Sequence, residues 1–163
     1  MKLTFKEINN DEDIKALSVI AAKIWREYYP PIIGADQVEY MLDLMYSFKS
    51  LKKQIREDKN IFTAAYLDGR MAGFISISHK GDKNYFLHKL YIDNGIQKKG
   101  IGKALLNKVF SKIDYETIRL TVNRQNINAV NFYFKNGFKI ERVMDMDIGG
   151  GYVMNDFVMV FSK

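Results

Sequence analysis

The chain has 163 residues, of which 47% are hydrophobic and 13% aromatic, so it is long and apolar enough to bury a core. The absence of cysteine excludes disulfides, thiolate metal ligands and a cysteine nucleophile. No apolar run reaches the roughly 18–20 residues of a membrane-spanning helix, and the mixed N-terminus is unlike a signal peptide. Without a repeat, linker or low-complexity tract, residues 1–163 are expected to form a single cytoplasmic domain.

The formal net charge of +6 suits a polyanionic partner, such as nucleic acid, an anionic membrane or a phosphorylated cofactor. The lysines are dispersed along the chain and form no stripe, and the aromatic residues recur at spacings typical of a core. We therefore expect no nucleic-acid or membrane partner and favour a phosphorylated small molecule.

Hydrophobic periodicity and turn residues define the expected elements in chain order. They are a strand over 2–8, a helix from Asn10 to Tyr28, helices over 37–48 and 50–56, strands over 60–67, 70–78 and 85–92, a helix over 100–113, a strand over 117–122, a helix over 128–136, and strands over 138–146 and 152–161.

Short local signals set the ends of several of these elements. Asn10 is suited to cap the first helix and the two prolines Pro30-Pro31 to stop it, while Ser50 is suited to cap the short helix over 50–56. The pair Asp68-Gly69 indicates a hairpin turn, and Gly137 is suited to end the last helix. The order β-α-α-β-β-β-α-β-α-β-β predicts an α/β fold (α+β by some schemes). Its sheet is mixed, mostly antiparallel, with six to seven strands and about four flanking helices.

The stretch from Leu90 to Leu106 runs from an apolar strand through a loop of lysines and glycines directly into an amphipathic helix. Backbone N–H groups at such a helix start, with glycines that allow close approach, favour phosphate. The P-loop pattern fails because Ile101 stands where its lysine belongs, and the dinucleotide pattern fails because Leu105 replaces its third glycine. The alternative to a phosphate-binding loop is an ordinary strand-to-helix turn with two solvated lysines.

Two motifs carry a resemblance to a known family. Gln97-Lys98-Lys99-Gly100-Ile101-Gly102 resembles the Q-x-x-G-x-G pyrophosphate loop of the GCN5-related N-acetyltransferases (GNAT). The stretch from Leu120 to Phe138, with Asn126, Ala129, Phe132-Tyr133 and Gly137-Phe138, is similar to the family's later signature. Ile32-Ile33-Gly34 and the segment from Asp147 to Asp156 are similar to spermine/spermidine acetyltransferase-like members.

The resemblance implies that acetyl-CoA is the cosubstrate and that no metal takes part. The loop would cradle the pyrophosphate, and the main chain of the strand before it, where the family's sheet splays, would hold the pantetheine arm and the thioester oxygen. The implied cofactor-binding residues are Leu90, Tyr91, Ile92, Gln97, Lys98, Lys99, Gly100, Ile101, Gly102, Lys103 and Asn126. Each lysine is also consistent with a solvated surface, and Asn126 with a plain helix cap.

Two side chains are candidates for proton transfer. Tyr133 matches the family's helix tyrosine and would serve as general acid toward the leaving thiolate; the alternative is an aromatic core residue between Phe132 and Phe134. Family members often carry a glutamate on the strand before the loop, but residues 85–90 contain no carboxylate. His88 shares a strand face with Leu90 and is the candidate base, against a structural histidine or a water chain.

We expect an N-acetyltransferase that moves the acetyl group of acetyl-CoA to a primary amine of a small molecule, such as a polyamine, by direct attack on the thioester. The alternatives are a catalytically weak coenzyme-A-binding regulatory module and a protein or peptide N-acetyltransferase. A monomer or homodimer is expected. Six carboxylates are candidates for binding a cationic amine, namely Glu27, Asp36, Glu39, Asp145, Asp147 and Asp156.

Overall fold

The computed structural model of the protein describes residues 1–96 and 99–163. Its elements are β1 (Leu3–Glu7), α1 (Asp11–Tyr28), α2 (Pro30–Ile33), α3 (Ala35–Tyr46), α4 (Phe48–Arg56), β2 (Ile61–Leu67), β3 (Arg70–His79), β4 (Asn84–Ile92), a 3₁₀ turn (Asn94–Ile96), α5 (Ile101–Phe110), β5 (Thr117–Asn123), α6 (Ile127–Lys135), β6 (Lys139–Gly149) and β7 (Tyr152–Ser162).

The seven strands form one mixed sheet in the order β1-β2-β3-β4-β5-β7-β6. Antiparallel pairs join β1 to β2, β2 to β3, β5 to β7 and β6 to β7. The parallel pair is β4 with β5, in a register that runs from Asn84 opposite Thr117 to Leu87 opposite Leu120. The predicted fold class, a mixed and mostly antiparallel sheet with flanking helices, is confirmed.

The segment between β1 and β2 folds into four helices. The predicted element order contains two helices there, and the hydrophobic periodicity predicts a short third one. Pro30 and Pro31 end α1 as expected, but Pro30 also begins the four-residue helix α2, because a proline is tolerated in the first turn of a helix. The cap of α4 is Ser47, whose hydroxyl accepts from the Ser50 amide at 3.2 Å, so the assignment of the cap to Ser50 is wrong.

The chain divides into two compact units, and the first comprises Met1–Ser78 and Lys89–Ile113. Helix α1 begins as predicted at Asn10, whose side chain accepts from the Asp13 amide at 2.8 Å. Its apolar face is fully buried, as are Leu51 of α4 and the rings of Phe62 and Phe74 on β2 and β3. The predicted hairpin turn is present, with positive φ at both Asp68 and Gly69.

The second unit comprises His79–His88 and Asp114–Lys163. Alternate residues of β5 are buried, with Ile118 and Leu120 fully so, and Met159 of β7 is buried opposite Leu120. Strand β6 lies at the edge of the sheet and is exposed along most of its length. Helix α6 ends at Lys135 with Asn136 as its cap, and Gly137 follows with the positive φ of 89° that favours glycine.

Candidate functional site

Strand β4 presents two kinds of side chain to its two faces. Leu87 and Lys89 are buried, whereas His88 and Leu90 are half-buried. This alternation agrees with the expectation that His88 and Leu90 share a face. In the first unit the strand leads into the glycine-lysine loop, and the main-chain N–H of Asp93 donates to the Ala72 carbonyl at 2.8 Å.

The start of the loop is anchored through the carboxylate of Asp93. It accepts from Lys23 Nζ at 2.6 Å and from the Gly95 amide at 2.9 Å. Burial alone would raise the pKa of Asp93. The hydrogen bonds from Lys23 and Gly95 outweigh this effect and hold the pKa below its usual value. Asp93 is therefore ionised at neutral pH and acts as a structural anchor for the turn into the loop.

The N-terminus of α5 has the features of an anion site. Gly100 takes a left-handed conformation with φ 73°, and no side chain in the described part of the chain caps the helix. A Cβ placed on Gly100 meets no atom of the described residues within 4 Å, so these residues leave the space beside the first amides of α5 open. Those amides are therefore available to an anionic ligand.

The side chains of this loop divide by exposure. Lys99 and Lys103 are exposed, whereas the Ile101 side chain is buried at 3% exposure and leaves only its main chain for a ligand. Lys99 Nζ approaches Met1 Sδ at 3.9 Å, a weak contact that a phosphate would readily replace. The predicted site residues Gln97 and Lys98 lie outside the described residues.

Lys89 is a feature of β4 that the sequence reasoning missed. Its side chain is buried at 7% exposure, and Nζ lies 5.1 Å from the ring centre of Tyr46 and 5.9 Å from that of Phe62. Burial lowers the pKa of Lys89 to about 8. The alternation from Leu87 to Lys89 already placed this lysine on a buried face, which is the signal that could have identified it.

The side chain of Tyr91 belongs to an aromatic cluster in the first unit. Its ring centre lies 5.7 Å from those of Trp25 and Phe74 and 6.1 Å from that of Tyr46. Trp25 in turn stacks on Tyr29 at 4.2 Å. The ring of Tyr91 therefore packs within this cluster. The main chain of Tyr91 is left for the predicted contact with the cofactor.

Helix α6 carries two predicted site residues in the second unit. Asn126 is buried, and its side-chain oxygen accepts from the Ala129 amide at 3.2 Å, so its role as a helix cap is established. Tyr133 is buried, with its ring 5.4 Å from those of Phe132 and Phe138. Burial raises the pKa of Tyr133 well above its usual value, so its phenol stays protonated at neutral pH.

The two histidines differ in their surroundings. His79 is the last residue of β3, with Nε2 2.5 Å from the Asp82 carbonyl oxygen and its ring 5.0 Å from that of Tyr85. His88 lies within β4 with its ring 4.8 Å from that of Phe86. Among the described residues, no group of three or more metal-ligating side chains comes together, and no helix is long and apolar enough to cross a membrane.

Five of the six candidate carboxylates are exposed, namely Glu27, Asp36, Glu39, Asp145 and Asp147. Glu39 accepts two hydrogen bonds from Arg26, at 2.7 Å and 3.0 Å, and Asp145 accepts one from Arg124 at 2.8 Å. These pairs are ordinary surface ion pairs, which contribute little to stability.

Asp156 is the exception among the candidates. Its side chain is buried at 1% exposure on β7, and neither carboxylate oxygen makes a hydrogen bond of ordinary geometry within the described part of the chain. Burial raises the pKa of Asp156 to about 6; Thr121 and Arg124 oppose that rise, and Asp145 adds to it. Because a buried carboxylate normally has donors around it, this arrangement is unusual.

Comparison with known proteins gives a consistent result. A family model described as an acetyltransferase (GNAT) domain matches residues 31–144. The chain is 33% identical to a spermidine N(1)-acetyltransferase of Thermoplasma acidophilum, over 88% of this chain and 90% of the relative. It is 29% identical to an uncharacterised N-acetyltransferase of Mycobacterium bovis, over 91% of this chain and 96% of the relative.

Among solved structures, the chain is similar to the PaiA N-acetyltransferase from Thermoplasma acidophilum in complex with coenzyme A. The TM-score is 0.83 at 29% sequence identity, and the match covers 100% of both chains.

Proposed function

This chain belongs to the GCN5-related N-acetyltransferase (GNAT) family and uses acetyl-CoA as its cosubstrate, and we propose that it acetylates a primary amine of a polyamine. The observation that carries this proposal is the 33% identity, over 88% of the chain, to a spermidine N(1)-acetyltransferase. We also propose that residues 1–163 act as one catalytic domain.

The first step in the proposal is the binding of acetyl-CoA, which supplies the activated acetyl group as a thioester. The main chain of Gly100, Ile101 and Gly102 would bind the pyrophosphate, supported by the open N-terminus of α5. Gln97 and Lys98 are proposed with them, and Lys99 and Lys103 would add positive charge. The helix dipole favours this anion by about 0.3–1 kcal/mol, and by more where the site is sheltered.

The second step is the positioning of the thioester by β4. The main chain of Leu90, Tyr91 and Ile92 would hold the pantetheine arm, and one N–H would donate to the thioester oxygen as it becomes negative. A positioned donor of this kind is worth about 2.7–4 kcal/mol. Asn126 is proposed as a further contact of the cofactor, in addition to its role as a cap.

Tyr133 is proposed to act at the leaving thiolate. Because burial raises its pKa, the phenol is held in the protonated form that can donate a hydrogen bond. The same rise makes full transfer of the proton less favourable than for an ordinary tyrosine. We therefore propose that Tyr133 stabilises the thiolate mainly as a hydrogen-bond donor, which refines the general-acid role.

His88 is proposed to accept the proton that the attacking amine must lose, directly or through water. Its half-buried place on β4, two residues before Leu90, supports this role. The imidazole side chain has a ring nitrogen that can accept a proton and pass it on to water.

The test is a measurement of free thiol released from acetyl-CoA in the presence of spermidine, spermine, single amino acids and a peptide. We expect release with the polyamines and mono-acetylated polyamine by mass spectrometry. Release with the peptide alone would replace the polyamine by a protein acceptor. Binding of coenzyme A without release in any reaction would indicate a regulatory module and contradict the proposal.

A further inference from the structure

A polyamine carries cationic nitrogens besides the one that is acetylated, and these need counter-charges in the protein. Of the six candidate carboxylates, five are exposed and already hydrated. Asp156 alone is buried, and a buried carboxylate gains far more from a cation than an exposed one because the surrounding dielectric is low. We propose that Asp156 binds an ammonium group of the acceptor, one that is not acetylated, and so determines the preference for polyamines.

The position of Asp156 supports this assignment, which rests on the proposed function. On β7 it lies opposite Asn123 of β5 and Met144 of β6. Asn123 is three residues before Asn126, the cap of the helix that carries Tyr133. Asp156 therefore lies beside the segment in which the second unit carries its predicted cofactor and proton-transfer residues.

The neighbouring charges leave the carboxylate of Asp156 without a paired cation. Arg124 approaches its main chain, donating to the Asp156 carbonyl oxygen at 3.2 Å. The guanidinium instead bonds the carboxylate of Asp145 at 2.8 Å. The side chain of Asp145 is 61% exposed, so this ion pair is weak and its rearrangement for an incoming ligand costs little.

The chemistry of the site selects an ammonium ligand over a neutral one. A single buried negative charge that makes no hydrogen bond of ordinary geometry with the described residues is unfavourable unless it is neutralised by a proton or by a cation. Burial raises the pKa of Asp156 to about 6, so at neutral pH the carboxylate is ionised. A primary or secondary ammonium supplies both the opposite charge and the N–H donors that the two oxygens lack.

The experiment compares Asp156→Asn with the wild-type enzyme on two acceptors, spermidine and butylamine, which has a single nitrogen. The amide keeps the shape of the side chain and removes its charge. We expect the KM for spermidine to rise about 10- to 100-fold, since a hydrogen bond to a charged group is worth about that factor. The kcat for spermidine and the kcat/KM for butylamine should change less than about threefold, and the KM for acetyl-CoA should not change.

The matched control is Asp114→Asn, which removes a carboxylate of the same unit whose side chain is 74% exposed and pairs with Lys83. It should leave the preference for spermidine over butylamine unchanged. If Asp156 were only structural, Asp156→Asn would change the kinetic constants for both acceptors alike. An unchanged preference for spermidine over butylamine in this variant would overturn this inference alone. A wild-type enzyme that acetylates butylamine but no polyamine would overturn the polyamine proposal as well.

A second measurement needs no variant. In the wild-type enzyme the KM for spermidine should rise as the pH falls below about 6, where Asp156 takes up a proton, while the KM for butylamine stays constant. Among the described residues, the charged groups that face Asp156 are Arg124 and Asp145. A KM for spermidine that does not depend on pH between 5 and 7 would contradict the assignment.

Discussion

Gly73 of β3 lies directly against Ile92, the last residue of β4. A Cβ placed on Gly73 would come within 2.6 Å of Ile92 Cδ1 and 3.0 Å of Ile92 Cα. No real side chain tolerates such contacts, so the close approach of the two strands requires glycine at this position. The place of Ile92, to which we assign a part in holding the cofactor, therefore depends on a residue that has no chemical role.

The Gly73→Ala variant should shift the end of β4. Overpacking of this kind costs about 1–3 kcal/mol of stability, and the displaced main chain should lower kcat/KM more than the stability loss alone explains. Thermal unfolding and steady-state kinetics test this. Gly95→Ala is the control, because its Cβ would make an ordinary contact of 3.4 Å with Asp93 Oδ1. Equal activity in the two variants would contradict the role of the close approach.

Replacement of Gly100 by valine should weaken acetyl-CoA binding. The left-handed φ of 73° disfavours any side chain by about 1–2 kcal/mol. The branched side chain would also fill the open space beside the α5 amides, so we expect the KM for acetyl-CoA to rise at least about tenfold, or about 1.4 kcal/mol.

The control for this variant is Gly81→Val, in a turn of the second unit. Gly81 also has a positive φ, 99°, and open space around its Cβ position, so the stability cost should be similar. Only the position 100 variant should change the KM for acetyl-CoA. A folded Gly100→Val enzyme with wild-type affinity for the cofactor would remove this helix start from the site.

Tyr133→Phe should lower kcat by about 100-fold or more, the usual cost of removing one positioned hydrogen-bond donor to a developing negative charge. The ring remains between Phe132 and Phe138, so the fold should be retained. Rapid measurement of thiol release at saturating substrates reports the effect. Tyr115→Phe, which removes a hydroxyl beside Phe161, should leave kcat unchanged. A kcat within twofold of wild type would exclude Tyr133 from the reaction.

His88→Ala should change the dependence of kcat on pH. If His88 accepts the proton of the amine, kcat falls in the wild type as the pH drops, because a protonated imidazole can accept no further proton. The variant should lose this fall and have a lower kcat at neutral pH. His79→Ala, at the end of β3 where the ring contacts the Asp82 carbonyl, should keep the wild-type profile. An identical profile in both variants would leave proton removal to water.

The buried carboxylate of Asp156 should make the stability of the protein depend on pH. Its folded-state pKa of about 6 lies above the ordinary value of 3.8, so the folded state binds more protons in that window. Stability should therefore fall as the pH rises from 4 to 6, by about 3 kcal/mol at most. Denaturant unfolding of Asp156→Asn should show a flatter dependence and higher stability at pH 7. A wild-type curve as flat as that of the variant would contradict the burial of the charge.

Local signals in the sequence were sufficient for most of the fold. The strand over 117–122, the cap at Asn10 and the turn at Asp68 and Gly69 depend on neighbouring residues, and each was predicted correctly. The helix after Pro30 was missed because a proline pair that stops one helix can also start the next.

The parts of the candidate site that are continuous in sequence were predictable, and the parts that depend on strand pairing were not. The loop into α5 and the cap at Asn126 are continuous motifs. The burial of Asp156 depends on the pairing of β7 with both β5 and β6, which the sequence does not specify. Lys89 was not singled out from the sequence, although its alternation with Leu87 along β4 places both side chains on one buried face.

Strand β6 has a consequence for solubility. An exposed edge strand of 11 residues offers unpaired backbone groups to any other chain, and this one also exposes Val143 and Met146. Its sequence KIERVMDMDIG places charged residues throughout, and its register is interrupted between Ile140 and Arg142. Charges and bulges on an edge discourage further strand addition. Neutral substitutions on β6 would therefore promote aggregation without touching the catalytic chemistry.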